Sequence, residues 1–390
     1  MPLLADVQRM NPVYSIRDMH RDFAYCKSRV EHEGVRFLTS TLPALDTALL
    51  EGLTSGVYVC PPGWRRNVAL PKFLWGLHHA LFDENGNLRA CPDTVCLNDI
   101  RQVSAFYKKA RTPFREKDVT EMLDRFVECD GELRSYREHT NRFIDDVLVH
   151  ARQFLRTLFE DFDALDISPR HGPGAVADGR SNPDKGTIRQ IIGSANAIYP
   201  FHEYFALNKD DFAYRVFGDF LAAEYVPCGT ARIILVPKDS RGPRIISAEP
   251  AELQYLQQGL ARKMVARLES HALTRGRVNF ERQDINGARA LSGSVDGALC
   301  TIDLSEASDR VSVKLVQDVF PGELCKALLA LRSTATRLPN GDTIQLEKYA
   351  PMGSALCFPV ESVIFFTLAR SLHLRVYGSL DRFDCTVYGD

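Results

Sequence analysis

The stretch Thr301-Ile302-Asp303-Leu304-Ser305-Glu306-Ala307-Ser308-Asp309 decides how this chain is read. Its β-branched and apolar start predicts a short strand with a carboxylate, Asp303, at the tip. Ser305, Ser308 and Asp309 are residues that cap helices, so a helix is predicted to follow. Taken alone, that pattern is only a strand running into a capped helix. A second apolar run, Thr386-Val387-Tyr388, ends in a turn-forming Gly389 and another carboxylate, Asp390. Two such tips brought together form a site for divalent cations, because magnesium prefers oxygen ligands and takes one or two carboxylates beside substrate oxygens and water. Asp303 and Asp390 are therefore the predicted catalytic metal ligands of a two-metal site, with Asp309 as the second acid of a D-x5-D pair.

Composition narrows the classes. The 390 residues exceed the usual single-domain size, so two or three subdomains are expected. With 45% hydrophobic and 25% charged residues, the chain has the composition of an ordinary globular protein. A net charge of -2 argues against a general polyanion binder, so any nucleic-acid role requires a local basic channel. The ten cysteines are scattered and lack the paired spacing of a zinc site; they are expected to be reduced and buried, in a cytoplasmic protein. The apolar run Ala355 to Ala369 is shorter than the ~20 residues of a membrane span and carries Pro359 and Glu361, which predicts a buried helix and no membrane partner.

Organisation follows from periodicity and punctuation. Residues 119–159 have helical character, with Phe143, Val147, Ala151, Phe154 and Leu158 on one stripe and a break expected at Asp130-Gly131. A loop is predicted over Ser168 to Pro183. Residues 232–237 and 245–246 predict two strands around a basic turn, and Leu256, Leu260, Met264 and Leu268 mark a helix over residues 252–273. After Asp303 a helical segment is expected to reach Phe320, with Pro321 opening a second helix at its first turn. Asn340-Gly341 predicts a hairpin with a type I′ turn. Mixed strands and helices without a regular βαβ alternation indicate the α+β class.

Three further segments are candidates for binding. Arg232, Lys238, Arg241 and Arg244 against Asp239 give the basic turn a net charge of plus three, suited to a triphosphate, although a solvated surface hairpin has the same composition. Gly353 and Ser354 precede the apolar helix and could face a ribose or a phosphate, or simply cap that helix. Arg277, Asn279, Gln283 and Asn286 surround Phe280 in a segment able to follow a nucleic-acid backbone, as ordinary connecting loops also can. His171, in His171-Gly-Pro-Gly-Ala175, is read as part of a turn rather than as a general base.

In chain order these segments resemble motifs F, A, B and the first part of C of a right-hand, template-directed polymerase. VPKDSRGPRIISAEP, NFERQDIN, TIDLSEASD, RLPNGDTIQLEKYAPMG and VYGD together resemble the replicase subunit of the leviviruses, positive-strand RNA bacteriophages. The resemblance covers about Ala231 to Asp390, with weaker echoes at Phe37 to Pro43 and Ile100 to Gln102. It implies an RNA-directed RNA polymerase in the cytoplasm of a bacterial host. Residues 1–290 would be the N-terminal region and fingers, with the basic motif over 231–250, and residues 291–390 a partial palm with a ferredoxin-like core.

Under the resemblance, Asp303 and Asp390 hold two magnesium ions, for which manganese could substitute. Lys238, Arg241 and Arg244 steady the triphosphate, and Asp309 with Gly353 and Ser354 inspects the nucleotide. RNA template, nascent RNA and ribonucleoside triphosphates are the implied partners, joined by host elongation factors Tu and Ts and a ribosomal protein. The family pattern Tyr-Gly-Asp-Asp is met here only as Tyr388-Gly389-Asp390. The second acid, the next palm strand and the thumb are thus expected to be missing, and the fragment inactive as it stands. A reverse transcriptase-like polymerase and a noncatalytic RNA-binding protein with a degenerate palm are the alternative readings. A phosphohydrolase is weaker, because no histidine lies near either acid in sequence to act as general base.

Overall fold

The structure, a computed structural model, describes residues 2–110, 113–135, 141–239 and 242–389. It divides into two compact units: residues 1–122 with 236–244, and residues 123–235 with 245–390. Residues on both sides of position 290 fall in the second unit.

The first unit is built on helices α1 (Pro2–Met10), α2 (Ile16–Glu33), α3 (Pro43–Ser55), α4 (Trp75–Leu81) and α5 (Thr94–Ala105). Its core joins Leu45, Leu49, Leu77, Leu81 and Ile100, all fully buried. Ser15 caps α2 by accepting from the Asp18 amide, and Asp93 caps α5 by accepting from Val95 and Cys96.

Helix α6 (Glu116–Ser135) runs straight through Asp130-Gly131. The expected break is absent there because the Asp130 carboxylate, instead of turning the chain, accepts the amides of Glu347 at 3.0 Å and Lys348 at 3.0 Å. Helix α7 (Arg142–Leu158) follows, capped by Asn141, with Val147, Ala151, Phe154 and Leu158 buried; Phe143, expected on the same stripe, is exposed. Residues 168–181 form a loop, as expected.

The main sheet has strands β1 (Gly229–Asp239), β2 (Gly242–Ala248), β3 (Ser333–Arg337) and β4 (Thr343–Gln345), in the order β2-β1-β3-β4. β3 runs parallel to β1, placing Arg337 beside Arg232, and antiparallel to β4. The β3–β4 hairpin forms, but not with the predicted turn. A type I′ turn needs positive φ at both central residues, and only Gly341 has it, at 96°. The Gly341 amide closes the turn on the Leu338 carbonyl, with Pro339 second in the turn.

Helix α8 (Ala251–Ser270) buries Leu256, Leu260, Met264 and Leu268 as its periodicity predicts. After it come α9 (Gln283–Asp296), α10 (Val313–Val319), α11 (Gly322–Ala330) and α12 (Cys357–Tyr377). The single helical segment expected after Asp303 is instead irregular to Leu304, a 3-10 turn over Ala307–Arg310, and then α10, and Pro321 caps α11. Helix α12 is long and apolar enough to cross a membrane, but its first half is buried in the core of this unit, where Phe366 meets Phe154 of α7 with ring centroids 5.9 Å apart. All ten cysteines are free. Their burial is mixed rather than uniform, with Cys91 and Cys300 exposed.

Candidate active site

The two acid-bearing segments are not strands among the described residues. Thr301–Leu304 is irregular, and Ile302 and Leu304 are exposed; without a partner edge there is no ladder to hold a strand. Residues 384–389 are also irregular, but Val387 is anchored. Its amide donates to the Arg277 carbonyl at 2.7 Å and its carbonyl accepts the Asn279 amide at 3.0 Å. The segment that the sequence suggested for RNA contact is therefore the backbone support of the second acid segment.

Both segments line one cavity of about 390 Å³, through Leu299 to Ile302 and Leu304 in the first and Asp384 to Gly389 in the second, while Asp303 itself is not part of the lining. Asn286, Arg289 and Ala290 of α9 and Phe365 and Ala369 of α12 also line it. Arg289 pairs with Asp384 at 2.6 Å, tying α9 to the second segment. The Tyr388-Gly389 turn rests on α12: Tyr388 meets Phe358 edge-on at 5.5 Å, and the Gly389 amide donates to Ser362 Oγ at 3.2 Å. Gly389 has a φ of 77°, and a Cβ there would lie 2.6 Å from the Phe358 ring. Only glycine fits this turn. Asp390 itself lies outside the described residues.

Asp303 is exposed and makes no ion pair or hydrogen bond among the described residues, so its carboxylate is free for a hard cation. Asp309 is different. Its Oδ1 accepts from Lys348 Nζ at 3.3 Å, its backbone carbonyl faces Cys129 Sγ at 3.6 Å, and burial pushes its carboxyl above the usual range while Lys348 opposes that shift. Between the two acids stands Glu306, whose φ of 57° is rare for a residue with a Cβ. It is held there by Arg125 of α6, with Nε and Nη2 on its two oxygens at 2.5 and 2.9 Å, and by Arg310 at 3.0 Å. Arg125, the first cause, keeps the Glu306 carboxyl below its usual range.

Lys348 is fully buried in turn. Its Nζ donates to the Phe126 carbonyl at 3.0 Å and lies 3.4 Å from the centroid of the Phe126 ring. Arg332, also buried, donates to the carbonyls of Leu346, Lys348 and Tyr349. Sequence reasoning missed Arg125, Asp130, Glu306, Arg332 and Lys348. None of them carried a local signal: Lys348 follows Glu347 directly, as in an ordinary solvated charge pair.

The remaining predicted residues are placed as follows. Gly353, with φ 129°, lets the chain pass Ser247, whose carbonyl would lie 2.2 Å from an added Cβ, while the Met352 carbonyl accepts the Ser247 amide at 2.7 Å. Ser354 is buried, and its Oγ accepts the Leu356 amide at 3.3 Å just before α12. Lys238 and Arg244 are exposed on the hairpin within the first unit, whereas the acids belong to the second; Arg241 lies outside the described residues. Arg277 and Gln283 are exposed, Asn279 is buried, Asn286 lines the cavity, and Phe280 packs edge-on against Phe358 at 5.4 Å. His171 stacks near Tyr255 at 4.6 Å, in keeping with a structural role. Among the described residues no three acids, histidines or cysteines cluster as a metal site.

Residues 210–390 match the family described as RNA replicase, beta-chain. Similar curated proteins include the RNA-directed RNA polymerase subunit beta of Escherichia virus Qbeta, 37% identical over 159 residues, which are 41% of this chain and 26% of that protein. The corresponding subunit of Qbeta virus strain MX1 is 39% identical over the same shares, and the RNA-directed RNA polymerase beta chain of Escherichia phage MS2 is 35% identical over 160 residues, 40% of this chain and 27% of that one. The matched segment spans about a quarter of the length of these relatives.

Proposed function

We propose that this chain, whose residues 210–390 match the RNA replicase beta-chain family, is a replicase subunit of the leviviral kind and serves RNA-directed RNA synthesis from ribonucleoside triphosphates. The observation that carries this reading is that residues flanking both acids line one cavity, Ile302 and Leu304 on either side of Asp303 in sequence and Gly389 just before Asp390; Asp303 itself is exposed, makes no hydrogen bond or ion pair among the described residues, and is not part of the lining. A right-hand arrangement of fingers and palm is part of the proposal, as are action in the host cytoplasm and assembly with host translation factors.

The donor set at Asp303 suits magnesium, since an exposed carboxylate without a partner is an oxygen ligand for a hard cation; Asp390 would be the second such ligand. Bound there, the ions would neutralise charge on the attacking and leaving oxygens of an in-line displacement at the α-phosphate. The chain's own residues do the rest. Within the second unit, Asp309 would accept from the ribose, and Gly353 lets the chain turn into α12 beside Ser354; Lys238, Arg241 and Arg244 are proposed as triphosphate contacts from the sequence pattern alone.

Asp303→Asn removes the charge without disturbing any hydrogen bond among the described residues. It should leave the far-ultraviolet circular dichroism spectrum unchanged while abolishing both magnesium-dependent ATP binding and ribonucleotide incorporation on a primed RNA template. Magnesium-dependent binding retained by Asp303→Asn would overturn the ligand assignment. Absence of magnesium-dependent nucleotide binding in the unaltered chain, together with absence of incorporation by a chain extended to the length of its relatives, would overturn the polymerase reading.

A further inference from the structure

Lys348 combines three features that ordinary structural lysines do not share: complete burial, a carboxylate partner that itself reaches solvent, and a backbone pinned on both edges. Its amide donates to Asp130 and its carbonyl accepts from Arg332, both at 3.0 Å. The neighbouring amide of Val313 donates to the Glu347 carbonyl at 2.9 Å, and the Tyr349 amide to the Val311 carbonyl at 2.7 Å. Residues 346–349 are thus fastened alongside residues 311–313, immediately after Asp309. From this fixed base the ammonium group touches the Phe126 carbonyl, the Phe126 ring and Asp309 Oδ1. The second oxygen of Asp309 makes no hydrogen bond among the described residues, and the side chain retains 24% of its exposure. One carboxylate oxygen is held and the other is offered.

We propose that Lys348 is the positioning residue for Asp309, fixing that carboxylate so that its free oxygen accepts from a ribose hydroxyl, and that Lys348 thereby sets the preference for ribonucleotides over 2′-deoxyribonucleotides. The proposal rests on the assignment of Asp309 to the nucleotide's sugar. Its logic is that of any buried polar recognition: a substrate lacking the hydroxyl leaves a desolvated carboxylate oxygen unpaired, which a fixed carboxylate cannot relieve by turning away. Burial alone favours the neutral form of Asp309, and the Lys348 charge opposes this, keeping it an acceptor rather than a donor.

The test is competition between ATP and 2′-deoxyATP, with magnesium, for binding and for incorporation by the same chain. Lys348→Met should lower the ribo-to-deoxy preference by about 10- to 100-fold, the usual effect of removing a group that orients a binding residue. Because Lys348→Met leaves the partly buried Asp309 without its partner and could unfold the chain, the paired variant Lys348→Met/Asp309→Asn, which is neutral at both positions, is measured as well. It should show the same preference as Asp309→Asn alone, since Lys348 acts only through Asp309. Lys348→Arg should restore part of the preference. Asp130→Asn, which loosens the backbone that seats Lys348, should lower stability and shift the preference in the same direction as Lys348→Met, by a smaller factor. If Asp309→Asn shifts the preference and Lys348→Met does not, the positioning role falls while the sugar assignment stands. If Asp309→Asn itself leaves the preference unchanged, both fall.

Discussion

At the scale of single residues, the acids were visible in sequence and their electrostatic neighbours were not. A D-x5-D pattern after an apolar run can be seen within nine residues, whereas Lys348 lies 39 residues from Asp309, and Asp130 lies 217 from Glu347. Such partners are chosen by packing, and local composition carries no trace of them. Glu249 is a similar case. It is fully buried, accepts from Ser333 Oγ and has its carboxyl pushed up to about 7, chiefly by burial. Since the folded pKa is raised above the unfolded one, the folded chain holds more protons between pH ~4.5 and ~7, and stability falls as pH rises through that window. The loss at neutral pH is on the order of 3 kcal/mol. Glu249→Gln, which keeps the shape and a hydrogen-bonding amide, should flatten this part of the stability-versus-pH curve in urea unfolding; an unchanged slope would show that Glu249 is not its source.

At the scale of elements, periodicity succeeded where burial is one-sided. Helix α7 shows its apolar stripe in sequence because Val147, Ala151, Phe154 and Leu158 meet the core on one face, and the strands of the basic hairpin announce themselves by β-branched runs. It failed where a long-range contact outweighed local propensity. Asp130-Gly131 signals a break, yet α6 continues, because the Asp130 side chain caps amides from another segment rather than turning its own. Gly131 then contributes nothing but chain entropy. Its added Cβ would meet nothing within 4 Å. Gly131→Ala should therefore stabilise the protein by roughly 0.5–1 kcal/mol in urea unfolding; destabilisation would mean that the glycine serves a backbone conformation. The acid segments failed in the opposite sense. Their β-branched residues suit a strand, but a strand also needs a ladder partner, and Val387 has only the short stretch at Arg277 to Asn279.

At the scale of the whole molecule, composition anticipated more than one core, and two compact units are present, each with its own buried cluster. Leu49 of α3 is fully buried in the first. Leu49→Ala should destabilise that unit by about 2–5 kcal/mol, read as faster hydrogen exchange at the buried amides of α3 and α5; unchanged exchange would remove Leu49 from the core. The inserted hairpin, residues 236–244, groups with the N-terminal unit although β1 begins in the other, a division that linear sequence does not mark. By itself the sequence determined the chemical vocabulary of this protein: two strand-like segments ending in acids, a basic hairpin, and a Gly-Ser turn before an apolar helix, all written in short local patterns. Tertiary structure alone decided which acid is uncommitted and which is clamped, that Asp303 is exposed while Asp309 leans on a buried lysine. Burial and pairing depend on segments far apart in the chain, and only folding brings them within hydrogen-bonding reach.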